Sequence, residues 1–134
     1  MEYFVGFPNF TVRQGEHLRN AFNRLAKEKH WEKAKKVDES RNFQRLVVQD
    51  LNSRFNKLEH YQDLCEKLFE TTPNTLTQCK LLLNTKYVNI WDIVEERYQY
   101  FDNFREFRKY TCPKRIFKKD IAKELLLNVF LRHL

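Results

Sequence analysis

The chain has 134 residues, enough for one domain with a core of its own. Aromatic residues make up 15% of it and charged residues 32%, with a net charge of +7; so many rings exclude a disordered polyelectrolyte and assign the charges to helix surfaces. Glycine occurs only at Gly6 and Gly15 and proline only at Pro8, Pro73 and Pro113, which excludes glycine-rich phosphate loops and most tight hairpins and points to an all-α fold.

The expected architecture is a compact single-domain bundle of five to seven helices over residues 1–134, with residues 1–12 as an extended strap and 14–134 as the helical body. The strap, Tyr3-Phe4-Val5-Gly6-Phe7-Pro8-Asn9-Phe10, is too short and too interrupted for a helix. Its Phe4, Phe7 and Phe10 either lie across the body or meet a partner. Helix one is expected over about Gln14 to Lys29, where Leu18, Ala21, Phe22, Leu25 and Ala26 keep the spacing of one helix face. A second helix, from about Trp31 to Phe55, carries Phe43, Val47, Leu51 and Phe55 on one side, and its charged first turns project into water. His30-Trp31 reads equally well as a turn or as continuous helix. The third helix, about Glu59 to Glu70, shows Tyr61, Leu64, Cys65, Leu68 and Phe69.

Pro73 resets the chain. Thr75 and Gln78 fit a capping box that opens a short helix with Leu76, Cys79, Leu82 and Leu83. Asn89 caps the next, which carries Ile90, Ile93 and Val94 with Asp92 near the positive end of the helix dipole. Tyr98 to Tyr110 holds six aromatics, more than one packing face requires, and Asn103 with Glu106 predicts a break near Asp102-Asn103. The last helix, about Lys118 to Leu131, is expected to be a central core element through Leu125, Leu126, Val129, Phe130 and Leu131. There is no internal repeat or sustained heptad seam. The longest wholly apolar run, Leu125-Leu126-Leu127, is too short to cross a membrane, and Met1 to Val5 lacks the pattern of a secretory leader.

The residue types that carry catalysis are poorly placed. His17, His30, His60 and His133 have no partner at helical spacing and no cysteine pair has C-x₂-C spacing, so no metal or other cofactor is expected. Cys65 and Cys79 fall on apolar faces as small hydrophobes, whereas Cys112, beside Pro113 and near Lys114 and Arg115, is expected to be exposed. Three cysteines without a framework suit a reducing, intracellular home, the nucleus before the cytoplasm. The adjacent carboxylates Asp38-Glu39 and Glu95-Glu96 point in different directions and make no dyad, so an enzyme is not expected.

Charge is the stronger signal. Residues 13–60 carry a net +5, residues 61–106 a net −3 and residues 107–134 a net +6, so two basic ends flank an acidic middle. Lys29, Lys33 and Lys36 form one stripe with Arg41 and Arg45 beyond it, but Glu28, Glu32, Asp38 and Glu39 interrupt it, and solvated surface is the plainer reading. Lys114, Arg115, Lys118, Lys119 and Lys123 are a denser cluster and the candidate polyanion-binding set. The helices after Pro73 and Asn89 imitate a helix-turn-helix, yet Asp92, Glu95 and Glu96 on the exposed side of the second make it a poor groove reader.

Gln62-Asp63-Leu64-Cys65, Pro73 to Leu83 with Gln78-Cys79-Lys80, Val88 to Val94, and Phe117-Lys118-Lys119 with Ala122-Lys123 together resemble a small helical domain found in many fungal proteins. The resemblance covers nearly the whole chain and contains no catalytic signature. It implies a fungal, intracellular origin and no mechanism. The chain departs from that group at Asn56, in the turn after Phe55, where the group has a glycine. The function expected is a non-catalytic protein-interaction module that docks a partner peptide or helix on exposed aromatics, with Phe7, Tyr100, Phe104 and Phe107 as the docking set. Nucleic-acid binding through the basic ends is the alternative, and homodimerisation through the aromatic patch a third reading.

Overall fold

The computed structural model describes residues 1–123. It is all-α: α1 (Glu2–Val5), α2 (Leu18–Glu28), α3 (Lys33–Arg54), α4 (Leu58–Phe69), α5 (Leu76–Asn84), α6 (Ile90–Val94), α7 (Phe104–Thr111) and α8 (Lys119–Ala122). Among the described residues no strand forms; Tyr87 and Phe101 make a single antiparallel bridge, each N–H donating to the other's carbonyl at 2.9 and 2.8 Å. The long α3 is the central element, receiving α1, α2 and α8, while α4 packs on α5. The apolar stretch Leu125 to Leu131, expected to enter the core, lies outside the described residues.

Setting aside the single turns α1 and α8, six helices remain among the described residues, within the five to seven expected. One expectation is corrected. The N-terminal strap is not extended: Glu2–Val5 form a helical turn, and Phe7 N–H and Phe10 N–H then donate to the carbonyls of Phe4 and Phe7 at 3.0 and 2.9 Å. Coiling lets neighbouring rings enter one core. Tyr3, Phe4 and Phe10 are all buried, and an extended chain would point Tyr3 and Phe4 to opposite sides.

Local signals set most boundaries. Gln78 N–H donates to Thr75 Oγ1 at 3.1 Å, Trp91 N–H to Asn89 Oδ1 at 2.9 Å, and Arg105 N–H to Asn103 Oδ1 at 2.7 Å. Each bond satisfies an amide that a helix start leaves without an internal partner. His30 resolves the open junction between α2 and α3: its φ of 52° is left-handed and ends the helical path. Glu70 and Glu96 take the same conformation, each with φ of 56°, where glycine is the residue without a Cβ penalty. Gly15, with φ of 76°, turns the chain into α2.

That turn is clamped. Arg24 donates to both carboxylate oxygens of Glu16, at 3.0 and 2.9 Å, and to the Thr11 carbonyl at 2.7 Å, while its guanidinium lies 4.2 Å from the Phe10 ring centroid. Charge-assisted bonds of this kind are stronger than neutral ones.

The core is a chain of rings centred on Phe43, which is 2% exposed. Its ring lies 5.3 Å from Tyr3, 4.9 Å from Phe22 and 5.9 Å from Trp91, and Trp91 in turn lies 5.0 Å from Phe117. Five separate segments therefore meet through stacked and edge contacts. Phe43→Ala is expected to cost about 3–5 kcal/mol in urea unfolding, whereas Val5→Ala, at a site 78% exposed, stays within about 0.5 kcal/mol.

The Arg24 hydrogen bonds, with the Arg13 amide, hold the Glu16 carboxyl at about 2, below its ordinary 4.5. The clamp's stabilisation is therefore complete above the unfolded carboxyl value and drains away as pH falls toward about 2. Glu16→Gln should flatten this acid limb of a thermal-midpoint profile and leave its neutral-to-alkaline shape unchanged.

Candidate anion-binding groove

The two basic stretches are remote in sequence, yet they line one groove of about 300 Å³. Arg19 and Phe22 of α2 form one wall, and Lys33, Lys36, Val37 and Phe43 of α3 form the other. Trp91 of α6 lies at the base, and the α7–α8 connection closes the groove with Lys114, Ile116 and Lys118. Phe22, Phe43 and Trp91 are 5%, 2% and 2% exposed, so the rings form a buried floor. Val37 and Ile116 on the rim are 47% and 50% exposed.

The connection is held rigidly. Arg19 Nη1 donates to the Lys114 carbonyl at 3.2 Å, Asn89 Nδ2 to the Arg115 carbonyl at 3.0 Å, and Trp91 Nε1 to the Ile116 carbonyl at 3.2 Å. Gln44, itself buried, accepts from the Lys118 amide at 2.9 Å. Side chains of α2, α3 and α6 thus fix the backbone that presents two of the lysines, the arrangement that preorganises a binding site. Arg19 is fixed in turn by Glu95, donating from Nε at 2.8 Å and from Nη2 at 3.1 Å, with its guanidinium 5.5 Å from the Trp91 ring centroid.

Among the described residues no carboxylate oxygen lies within ion-pair distance of Lys33, Lys36, Lys114 or Lys118. Four ammonium groups therefore face solvent around an apolar floor. Of the expected polyanion set, only Lys114 and Lys118 line the groove. Arg115 turns aside, its guanidinium 4.2 Å from the Tyr110 ring centroid and donating to the Tyr110 carbonyl at 3.0 Å. Lys119 and Lys123 are exposed on and just after α8, outside the lining. The stripe read as solvated surface supplies the other two lysines.

The expected aromatic docking set divides. Tyr100 and Phe104 are 39% and 38% exposed, with Tyr98 at 36% beside them. Tyr100 leans on Phe69 at 5.1 Å, Phe104 on Tyr87 at 5.7 Å, and the Lys67 ammonium lies 5.0 Å from the Tyr98 ring centroid. Phe107 is 3% exposed and is removed from any docking surface: with the cap at Asn103, it falls on the inward face of α7 beside buried Thr111. Phe7 is half-buried, against Tyr3 at 5.5 Å and Trp31 at 5.7 Å. The expected break at Asp102-Asn103 is present, and it separates α7 from a non-helical segment tied to Tyr87.

Asp92 corrects another expectation. It is completely buried, not on an exposed face, and accepts from the Tyr110 hydroxyl at 2.6 Å and from Gln99 Nε2 at 2.9 Å. Glu95 is likewise inside, its side chain 1% exposed against Arg19. These carboxylates join α6 to α2 and α7, so they are structural.

No family model matches the chain, and no curated protein or solved structure matches it either. Among the described residues no group of three or more His, Cys, Asp or Glu could hold a metal ion, and no helix is long and apolar enough to cross a membrane. Cys65 and Cys79 are buried neighbours, and burial, then the Cys79 thiol, pushes the Cys65 thiol up to about 12. At neutral pH it holds almost no thiolate, the reactive form. Cys112 is exposed. A disulfide reagent should therefore titrate one thiol rapidly in the native protein and all three after denaturation; rapid native reaction of two or three would mean that α4 and α5 open readily.

Proposed function

We propose that the chain is a non-catalytic protein-interaction module whose groove docks a short acidic segment of a partner protein, one that also carries an apolar side chain. The observation that carries this reading is the convergence of Lys33, Lys36, Lys114 and Lys118 on one preorganised groove with an apolar floor. Ammonium groups at a rim raise the on-rate for an anionic segment and favour one charge pattern over another. At about 300 Å³ the groove sits at the small end of ligand clefts, a size for a few side chains and not for a folded surface.

The floor argues for a peptide over a nucleic acid at this site. Base stacking needs an open aromatic face, whereas Phe22, Phe43 and Trp91 are each at most 5% exposed. Half-exposed Val37 and Ile116 instead suit an aliphatic side chain entering between them. The strip of Tyr98, Tyr100 and Phe104 supports the docking reading less far, since each ring already rests on a neighbour or a lysine.

A labelled decapeptide of aspartate and glutamate with a central leucine should bind in fluorescence anisotropy, more weakly as salt rises. Lys36→Glu with Lys118→Glu should lower the affinity about tenfold, equivalent to ~1.4 kcal/mol, with no change in unfolding midpoint. Replacing leucine by serine should also weaken binding. Equal binding by the double variant, or no binding of acidic peptides at low salt, would reject this function.

A further inference from the structure

At about 300 Å³ the groove holds only a few side chains, so most of an acidic segment docked there lies outside it. One way out leads to α7. Lys114 lines the groove, and Cys112 lines a second, shallow hollow of about 520 Å³. The two residues are so close in the chain that their Cα atoms are at most about 7 Å apart. From Cys112 the hollow runs back along α7 past Lys109 and Arg108 to Arg105 and Phe104.

Arg105, Arg108 and Lys109 are exposed. Among the described residues no carboxylate oxygen comes within ion-pair distance of any of them. Glu106, the acidic residue of α7, falls outside the hollow. The helix is held in register: Asn103 Oδ1 accepts from the Arg105 and Glu106 amides at 2.7 and 3.3 Å, and Phe107 and Thr111 are buried on its inner side. The Phe104 ring is already packed, against Tyr87 among others, so recognition here falls to the cations.

Their spacing suits an extended acidic chain. Arg105 and Lys109 are about 6 Å apart along the helix axis. In an extended peptide alternate side chains point the same way at about 6.6 Å, so carboxylates at alternate positions meet both. The planar guanidinium of Arg108 adds a fork that takes a carboxylate through two bonds, which the lysines of the groove cannot offer. From Lys114 to Arg105 the path is about 18 Å, or about six extended residues.

We infer that α7 is a second contact for the acidic segment docked in the groove, taking its continuation on Arg105, Arg108 and Lys109. The inference rests on the acidic-peptide reading of the groove and extends it: one occupant of one charge passes from four lysines to three further cations. Exposed ion pairs are individually weak, so this face holds little by itself. Once the groove has captured the segment, however, the continuation is tethered beside α7 at high effective concentration, and weak pairs then add to affinity.

The test uses the full chain and fluorescein-labelled peptides in anisotropy. One is an acidic pentapeptide with a central leucine. The others carry about six further residues, glutamate alternating with serine, at its N-terminus or at its C-terminus. The better of the two long peptides should bind about tenfold more tightly than the pentapeptide, the combined effect of three exposed pairs. Arg105→Gln with Arg108→Gln and Lys109→Gln should remove that gain. The same variant should bind the pentapeptide within about twofold of the parent, which also shows that it folds. Lys36→Glu with Lys118→Glu should weaken short and long peptides alike. This inference alone is overturned if the pentapeptide binds and neither extension gains, if the gain survives the α7 substitutions, or if those substitutions weaken the pentapeptide as much as the long peptide. A pentapeptide that fails to bind at low salt rejects the groove reading and this inference with it. A twelve-nucleotide oligouridine that outcompetes the long peptide on the parent but not on the α7 variant would also overturn it, and would make α7 a polyphosphate surface.

Discussion

The rest of the molecule depends on the set of ring contacts around Phe43. It joins α1, α2, α3, α6 and the segment before α8, which are far apart along the chain. Two-turn and one-turn helices such as α7, α6 and α8 are too short to persist alone, so tertiary burial must hold them. Aromatic side chains suit this role because each covers a large area and reaches several neighbours with few rotatable bonds. The same rings then become the floor of the groove. Stability and the candidate site therefore share a set of side chains, and only the rim can vary without cost to the fold.

A second constraint acts on the backbone of residues 114–118. Irregular segments are normally the mobile part of a helical protein, since their amides and carbonyls have no ladder to join. Here Arg19, Asn89, Trp91 and Gln44 take over that role. The part-buried pair of Arg19 and Glu95 matters in this light for its geometry more than for its energy: it aims one guanidinium nitrogen at the connection and leaves the lysines as the uncompensated charges.

The local parts of the fold were legible in the sequence. Thr75, Asn89 and Asn103 mark helix starts because a cap is an interaction over two or three residues. The inward placement of Phe107 was within reach too, four residues after the Asn103 cap and in step with Thr111. What stayed hidden was non-local. Nothing near Tyr98–Phe101 announces that this stretch pairs with Tyr87, and no local pattern predicts that Asp92 is enclosed by Tyr110 and Gln99. The groove was invisible for the same reason: Lys33 and Lys114 are brought together by the ring cluster, not by any periodicity. Scarcity of glycine misled in its own way, since His30, Glu70 and Glu96 adopt left-handed turns that glycine would normally mark.

The separation of the groove's parts along the chain also determines how it can be lost. A site made within one hairpin can survive in a fragment or a partly unfolded state. This one draws on α2, α3, α6 and the approach to α8 at once, so any opening large enough to release one of them dismantles it. An occupant therefore binds the native state alone and acts as a staple on the entire chain. At one hundred times its dissociation constant it adds about 2.7 kcal/mol against global unfolding, and it should slow hydrogen exchange as much in α1, which it never touches, as at the groove itself.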